Sequence, residues 1–280
     1  MSSQLILLVE DNLTNQKIIS QQLRSLGYVV EIAADGHSAV QKTAQKQYDM
    51  ILMDCQLPGM DGFEATIAIR QHEQIALSSP PLSGGTALTH SQPAIIIAMT
   101  ASNLPRDQER AIAAGMNDYL QKPIQRVMLE AVLKQWMQQL KSPEQPGSNP
   151  STEVPQTDQK AVSLSLEAYL DLHYLHQLSD NSPEFELELL HVFLKDSHDH
   201  LTILRQAIDR QNYRLAEQAA HHLNGSSANI GAKSIQSAAA ELEQQAGQQQ
   251  FRSIEFLLAE IESSLNHIQE YLAQFKNALS

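Results

Sequence analysis

Short apolar runs, each closed by a polar residue, recur through the first half of this 280-residue chain. Leu5 to Val9 ends at Glu10 and Asp11, Met50 to Met53 at Asp54, Ala94 to Met99 at Thr100, and a later segment at Leu120-Gln121-Lys122-Pro123. Tyr28 to Ile32 is a further run of the same length. Between them lie stretches with apolar residues at helical spacing: Leu13 to Leu26, Gly36 to Gln45, Asp61 to Gln71, Pro105 to Ala114 and Ile124 to Leu140. Five such strand–helix units predict a parallel sheet with right-handed crossovers and helices on both faces. In open sheets of this kind ligands bind beyond the C-terminal ends of the strands. Three carboxylates, a hydroxyl and an ammonium are therefore expected to converge on one small site.

Crowded carboxylates repel and raise one another's pKa. A divalent cation relieves that repulsion, and an all-oxygen donor set with few protein ligands suits Mg²⁺. One carboxylate can then serve as a nucleophile, as in enzymes that form an aspartyl phosphate. Lys122 would neutralise charge on a transferring phosphoryl group and Thr100 would hydrogen-bond it. Any one of these residues could equally be a polar cap on a buried strand; the five in this order point to a site.

The segments Val9-Glu10-Asp11-Asn12 with Asn15-Gln16, Met53 to Gly62, Met99-Thr100-Ala101 and Gly115 to Pro123 resemble those of response-regulator receiver domains, most closely receivers attached to hybrid sensor kinases. The resemblance implies a flavodoxin-like α/β fold with strand order 2-1-3-4-5. It also implies that Asp54 is the phosphoacceptor, that Glu10 and Asp11 help hold Mg²⁺ with the backbone carbonyl of Gln56, and that Thr100 and Lys122 grip the phosphoryl group. Tyr119 matches an aromatic residue that changes rotamer on activation. The connection His72 to Pro93, rich in Ser, Pro and Gly, is longer than the family's and is expected to lie at the sheet edge opposite the site.

Residues 1–140 form the first expected domain. From Lys141 to about residue 163 the chain is rich in Pro, Ser, Thr and Gln without apolar periodicity, and reads as an extended linker of up to ~3.1 Å per residue. Residues 164–280 are helical by pattern: Leu164 to Gln177, Ser182 to Gln211, Tyr213 to Asn229, Lys233 to Gln248 and Phe251 to Phe275. They predict a separate all-α bundle.

Within the bundle, Ala219 to Ala232 (AAHHLNGSSANIGA) resembles the phosphorylation motif of histidine phosphotransfer (HPt) domains. The resemblance makes His221 the phosphoacceptor. Gly225 lies four residues on, on the same helix face, where it removes a side chain that would obstruct a docking receiver. Leu223 and Ile230 are expected to turn inward, and His222, about 100° around the helix, to be a solvated surface residue. The family usually places lysine where this chain has Asn224; asparagine keeps the hydrogen-bonding capacity and loses the cation. A metal at His221 and His222 with His198 and His200 is not expected, because adjacent residues do not face one site and no two of these histidines are spaced i,i+4.

The net charge of −13, with −3 on residues 1–140 and −10 on residues 141–280, argues against nucleic-acid binding. Cys55 is the only cysteine, so an intrachain disulfide is excluded and a cytoplasmic setting is expected. No apolar run has the length of a membrane span, and the N-terminus lacks a signal-peptide pattern. Together these readings describe a phosphorelay protein. Asp54 would accept a phosphoryl group from a partner sensor histidine kinase, and His221 would carry phosphoryl groups to or from receiver aspartates, its own or those of upstream or downstream response regulators. No kinase ATP-binding segment or DNA-binding output is visible, so any catalysis is the receiver's own phosphorylation. Met1 at the first strand favours a complete intermediate over the C-terminal piece of a hybrid kinase. The competing readings are a phosphorylation-controlled binding switch whose bundle is only a docking module, and a phosphatase. The phosphatase would want an acid two residues after Asp54, where Gln56 stands.

Overall fold

The computed structural model describes residues 4–78, 92–100, 105–139, 169–179 and 182–279. Five strands, β1 (Leu5–Val9), β2 (Val29–Ala33), β3 (Met50–Asp54), β4 (Ile95–Thr100) and β5 (Asp118–Gln121), form a parallel sheet in the order β2-β1-β3-β4-β5. Helices α1 (Leu13–Ser25), α2 (Gly36–Gln45), α3 (Gly62–Ser78), α4 (Pro105–Ala114) and α5 (Arg126–Gln139) connect and follow them.

The central strands are apolar up to the polar residue that ends β3 and β4, because both sheet faces are covered. Leu7, Val9, Ile51, Met53, Ile96 and Ala98 pack on one face with Ala39, Phe63, Ile69 and Ala111 from α2, α3 and α4. Ile6, Leu8, Met50, Leu52, Ile97 and Met99 point to the other face, where Ile19 and Leu23 of α1 and Leu129 and Leu133 of α5 cover them. Each such fully buried aliphatic side chain is worth about 1.5–3 kcal/mol.

Helix α3 runs to Ser78, beyond the Gln71 expected from periodicity. The extra turns are tied down by the buried Glu73, which accepts the backbone N–H of Ala94 at 2.8 Å and pairs with Arg70 at 2.6 Å. The long connection therefore begins after Ser78; residues 79–91, like 140–168, lie outside the described residues.

The second half is a helical bundle: α6 (Leu172–Leu178), α7 (Pro183–Asp209), α8 (Tyr213–Ile230), α9 (Lys233–Gly247) and α10 (Ile254–Leu279). Side chains of Asp171, Ser182 and Asn212 cap the starts of α6, α7 and α8. Gly231 ends α8 in the left-handed region at φ 80°. Leu189, Phe193, Leu204, Leu223, Ile235, Leu242, Ile261 and Ile268 form the bundle core, and Leu223 and Ile230 turn inward as expected.

The two halves touch. Ile18 of α1 is 3% exposed and packs into the bundle's core cluster. Lys17 pairs with Glu188 of α7, and Asn15 meets Asn229 of α8. Helix α1 thus packs on the sheet with one side and on α7 and α8 with the other.

Candidate functional site

The sheet register sets the acidic pocket. Glu10 and Asp11 follow β1, Asp54 is the last residue of β3 opposite Met99, Thr100 ends β4, and Lys122 follows β5. The Lys122 N–H donates to the Thr100 carbonyl at 2.8 Å, which holds the end of β5 against β4. Gly62 closes the loop after Asp54. A β-carbon there would lie 2.0 Å from the Asp54 carbonyl oxygen, so only glycine lets α3 begin this close to the acidic pocket.

Lys122 Nζ donates to Asp54 Oδ2 at 2.6 Å and to Glu10 Oε2 at 2.8 Å. Glu10 is fully buried and Asp54 nearly so. Burial opposes charge on Lys122, but the Asp54 and Glu10 carboxylates outweigh it and hold the ammonium well above the usual lysine range. Burial pushes Glu10 and Asp11 up; Lys122 opposes this at Glu10, and His222 and Lys122 oppose it at Asp11. The Asp54 Oδ1 accepts the N–H of Gln56 at 3.0 Å.

Oxygens of Glu10, Asp11 and Asp54 lie within 4.8 Å of one another. Three carboxylates against one ammonium leave a net negative charge, and the donors are all oxygen. That set fits a small hard dication such as Mg²⁺.

Facing the pocket is helix α8. A cleft of about 680 Å³ is lined by Glu10, Asp54 and Lys122 on one side and by His221, Asn224 and Glu243 on the other. Asp11, Gln56, Thr100 and Gly225 also line it. The site residues expected in the two halves thus share one cleft, with one exception. Tyr119 is 41% exposed on β5 and does not line it.

Glu243 of α9 had no signal in the sequence beyond being one acid among many. Its Oε1 accepts from His221 Nδ1 at 2.7 Å and its Oε2 accepts from Asn224 Nδ2 at 2.9 Å. The pair fixes the ring with Nδ1 engaged and leaves Nε2 as its remaining nitrogen nucleophile. Burial opposes charge on His221, but Glu243 outweighs it and raises the imidazole; burial opposes the Glu243 charge, and His221 outweighs it and lowers the carboxylate.

The sign follows. The raised His221 contributes stability below its ordinary pKa, lost as pH rises through the folded value; the lowered Glu243 contributes above its ordinary pKa, lost as pH falls through the folded value. Only the neutral ring has a free nitrogen lone pair, so any nucleophilic reaction of His221 should rise with pH around a midpoint above that of ordinary histidine. Replacing Glu243 with glutamine is expected to move that midpoint down, which an NMR titration of the His221 ring measures directly; an unmoved midpoint would mean that Glu243 does not set it.

One expectation is corrected. His222 is not solvated: its side chain is 9% exposed, its Nε2 meets Asp196 Oδ2 at 2.9 Å, and its ring stacks on His200 with centroids 3.5 Å apart. The neighbouring α7 fills the side of α8 that helical spacing alone left open. Burial, and then His222, keep His200 below the usual histidine range.

Asp196, His200 and His222 also bring ligand atoms within 4.8 Å of one another, through two helices and not an i,i+4 histidine pair. The rings are 9° from parallel, so their lone pairs run side by side without converging, unlike the ligands of a tetrahedral zinc. A β-carbon at Gly225 meets nothing within 4 Å, so the cleft has room for a methyl group, and obstructing the His221 face would take a bulkier side chain.

Among the described residues no helix is long and apolar enough to cross a membrane. Residues 6–134 match the response regulator receiver domain family and residues 188–278 match the Hpt domain family. The chain is 48% identical over 120 residues to hybrid signal transduction histidine kinase B of Dictyostelium discoideum, covering 42% of this chain and 6% of that protein. It is 28% identical over 244 residues to the signal transduction histidine-protein kinase BarA of Escherichia coli K12, covering 86% of this chain and 24% of that protein. The chain therefore spans a quarter or less of these two relatives. Among solved structures, the receiver domain of a Pseudomonas aeruginosa sensor histidine kinase, with a magnesium ion coordinated in its active-site cleft, is 44% identical. It covers 49% of this chain and 99% of that one, with a TM-score of 0.41. The chain carries a response regulator receiver domain followed by an Hpt domain, the two modules of phosphorelay signalling.

Proposed function

We propose that Asp54 and His221 are the two phosphoacceptors of a phosphorelay and that they exchange a phosphoryl group across the cleft they share. The observation that carries this reading is their placement on opposite walls of one cavity that also holds Lys122. A phosphohistidine of a sensor kinase donates to Asp54. A carboxylate oxygen of Asp54 attacks phosphorus, the P–N bond breaks, and the leaving imidazole nitrogen keeps the electron pair. In the next step His221 Nε2 attacks the acyl phosphate, the P–O bond breaks, and Asp54 is released as the carboxylate. His221 then serves the aspartate of a further receiver.

Lys122, already 2.6 Å from Asp54 Oδ2, is placed to move onto the phosphoryl oxygens when Asp54 is esterified. Thr100, at the end of the adjacent strand, supplies a hydroxyl to the same group. Mg²⁺, held by Glu10, Asp11, Asp54 and the Gln56 carbonyl, would neutralise developing charge on the transferring group. Glu243 keeps Nδ1 of His221 engaged, and Asn224 shares that carboxylate where a lysine would have paired with it. Tyr119, outside the cleft, would report the state of Asp54 at the surface. We place the protein in the cytoplasm, in keeping with a single buried cysteine.

Incubated with Mg²⁺ and a small phosphodonor such as acetyl phosphate, the chain is expected to form one alkali-labile acyl phosphate. Asp54→Asn should abolish it, because an amide is a poor nucleophile. Asp11→Asn should raise the Mg²⁺ concentration needed. Phosphate incorporation followed by alkali treatment decides the point, and full labelling of Asp54→Asn would overturn the assignment.

A further inference from the structure

An unbroken hydrogen-bonded chain runs from the acidic pocket to the surface of the bundle. Asn15 Nδ2 donates to Glu10 Oε1 at 3.0 Å, and Asn15 Oδ1 accepts from Asn229 Nδ2 at 2.6 Å. Asn15 is 3% exposed, Asn229 6% and Glu10 0%. Its orientation is dictated chemically. An ionised carboxylate can only accept, so the atom of Asn15 that faces Glu10 must be its amide nitrogen. The oxygen must then face α8, and Asn229 must present its own nitrogen. An amide turned over at either residue would set oxygen against oxygen, or nitrogen against nitrogen, in a buried contact.

A second link lies beside the first. Asn12 donates its side-chain nitrogen to the carbonyl of His222 at 3.3 Å while its oxygen caps α1 through the Asn15 N–H at 3.0 Å. Its own backbone N–H leans on Glu10 Oε1 at 3.4 Å. Glu10 Oε1 is thus held from two directions by residues that also touch α8, while Oε2 is held by Lys122.

We propose that Asn15 is a positioning residue that couples docking of the bundle to the cation pocket: Asn229, from α8, sets the orientation of the Asn15 amide, and that orientation holds Glu10 in its cation-binding pose. This deepens the function proposed above and rests on it only in taking the Glu10, Asp11 and Asp54 cluster as the cation pocket. By thermodynamic reciprocity, whatever docking adds to cation affinity the cation adds to docking. A receiver whose first acidic residue lacked the asparagine partner would dock on α8 without this link, so the pair also favours the chain's own receiver.

The test is Mg²⁺ binding to the full chain by calorimetry, with Asn229→Asp as the informative variant. Its carboxylate cannot donate to Asn15 Oδ1 and instead competes with Glu10 for the Asn15 nitrogen, which loosens the hold on Glu10. Loss of such a partner beside a metal ligand typically weakens affinity by ~10-fold or more. An added negative charge near the pocket acts the other way, tightening cation binding. The sign of the change therefore separates the proposed link from plain electrostatics.

In an Asn15→Ala background, which itself binds Mg²⁺ more weakly, Asn229→Asp should no longer weaken binding. Asn229→Ala, which removes the donor without adding charge, should weaken it less than Asn229→Asp and decides the matter if the charged variant does not fold. Tighter or unchanged Mg²⁺ binding in Asn229→Asp, or the same weakening with and without Asn15, overturns the proposal. Acetyl phosphate labelling of the same samples keeps the two claims apart. An unlabelled Asp54 in the unmodified chain refutes the phosphorelay reading, while the dependence of Mg²⁺ affinity on Asn229 is still read independently.

Discussion

Replacing His221 with glutamine is expected to abolish alkali-stable phosphate on the chain while leaving acyl phosphate formation at Asp54 intact. Phosphohistidine survives alkali and the acyl phosphate does not, so one labelled sample reports both. In the proposed relay the imidazole is the nucleophile, and no amide replaces it. The fold should survive, because His221 is part-exposed at the cleft and its bond to Glu243 is a single part-exposed pair, worth about 1 kcal/mol or less.

His222→Gln is the contrasting variant. It removes a buried ring stacked on His200 and a bond to Asp196, and should cost about 1–3 kcal/mol in a urea or thermal unfolding experiment. It should still form alkali-stable phosphate. Loss of that label from His222→Gln with His221→Gln unaffected would reverse the assignment of the phosphoacceptor.

Lys122→Ala is expected to have the largest effect on stability. Glu10 and Asp54 have side chains 0% and 5% exposed, and Lys122 is the cation that bridges them. Removing one partner of a buried ion pair typically costs about 3–5 kcal/mol. The loss should be largest near neutral pH without Mg²⁺. Glu10 is already raised by burial, and without the ammonium it rises further. A carboxyl with a raised folded-state pKa takes up its proton more readily when folded, so it favours the folded state increasingly as pH falls. The deficit should therefore shrink in acid, and also with Mg²⁺, which replaces the missing positive charge. Urea unfolding with and without Mg²⁺ at acid and neutral pH measures both. Wild-type stability at neutral pH without the cation would mean that the carboxylates are not held by Lys122.

The strands and the acidic pocket were legible in the sequence pattern, and the strand order followed from the resemblance to receiver domains. A strand buried on both faces reads as a short continuous apolar run, and the polar residue that ends it lies at the sheet's C-terminal edge. Glu10, Asp11, Asp54, Thr100 and Lys122 all follow that pattern. Leu223 and Ile230 were legible for a similar reason, since helical spacing separates their inward faces from that of His221.

What was missed depends on neighbours that no single element's periodicity encodes. Glu243 reaches His221 from α9, and Asn229 reaches Asn15 across 214 residues of sequence. Spacing on α8 alone placed His222 in solvent, and α7 fills that space. The extra turns of α3 are held by Glu73 reaching Ala94, a contact between distant segments that local pattern does not reveal.

The most direct test of the exchange between Asp54 and His221 follows the fate of a single label. The full chain is phosphorylated on Asp54 by acetyl phosphate with Mg²⁺, the donor is removed, and the alkali-stable fraction is measured over time at widely different protein concentrations. Exchange within one docked chain predicts that alkali-stable phosphate appears on His221 with a first-order rate that does not change with concentration. A rate proportional to concentration, or acyl phosphate lost only to hydrolysis with no alkali-stable product, would contradict it.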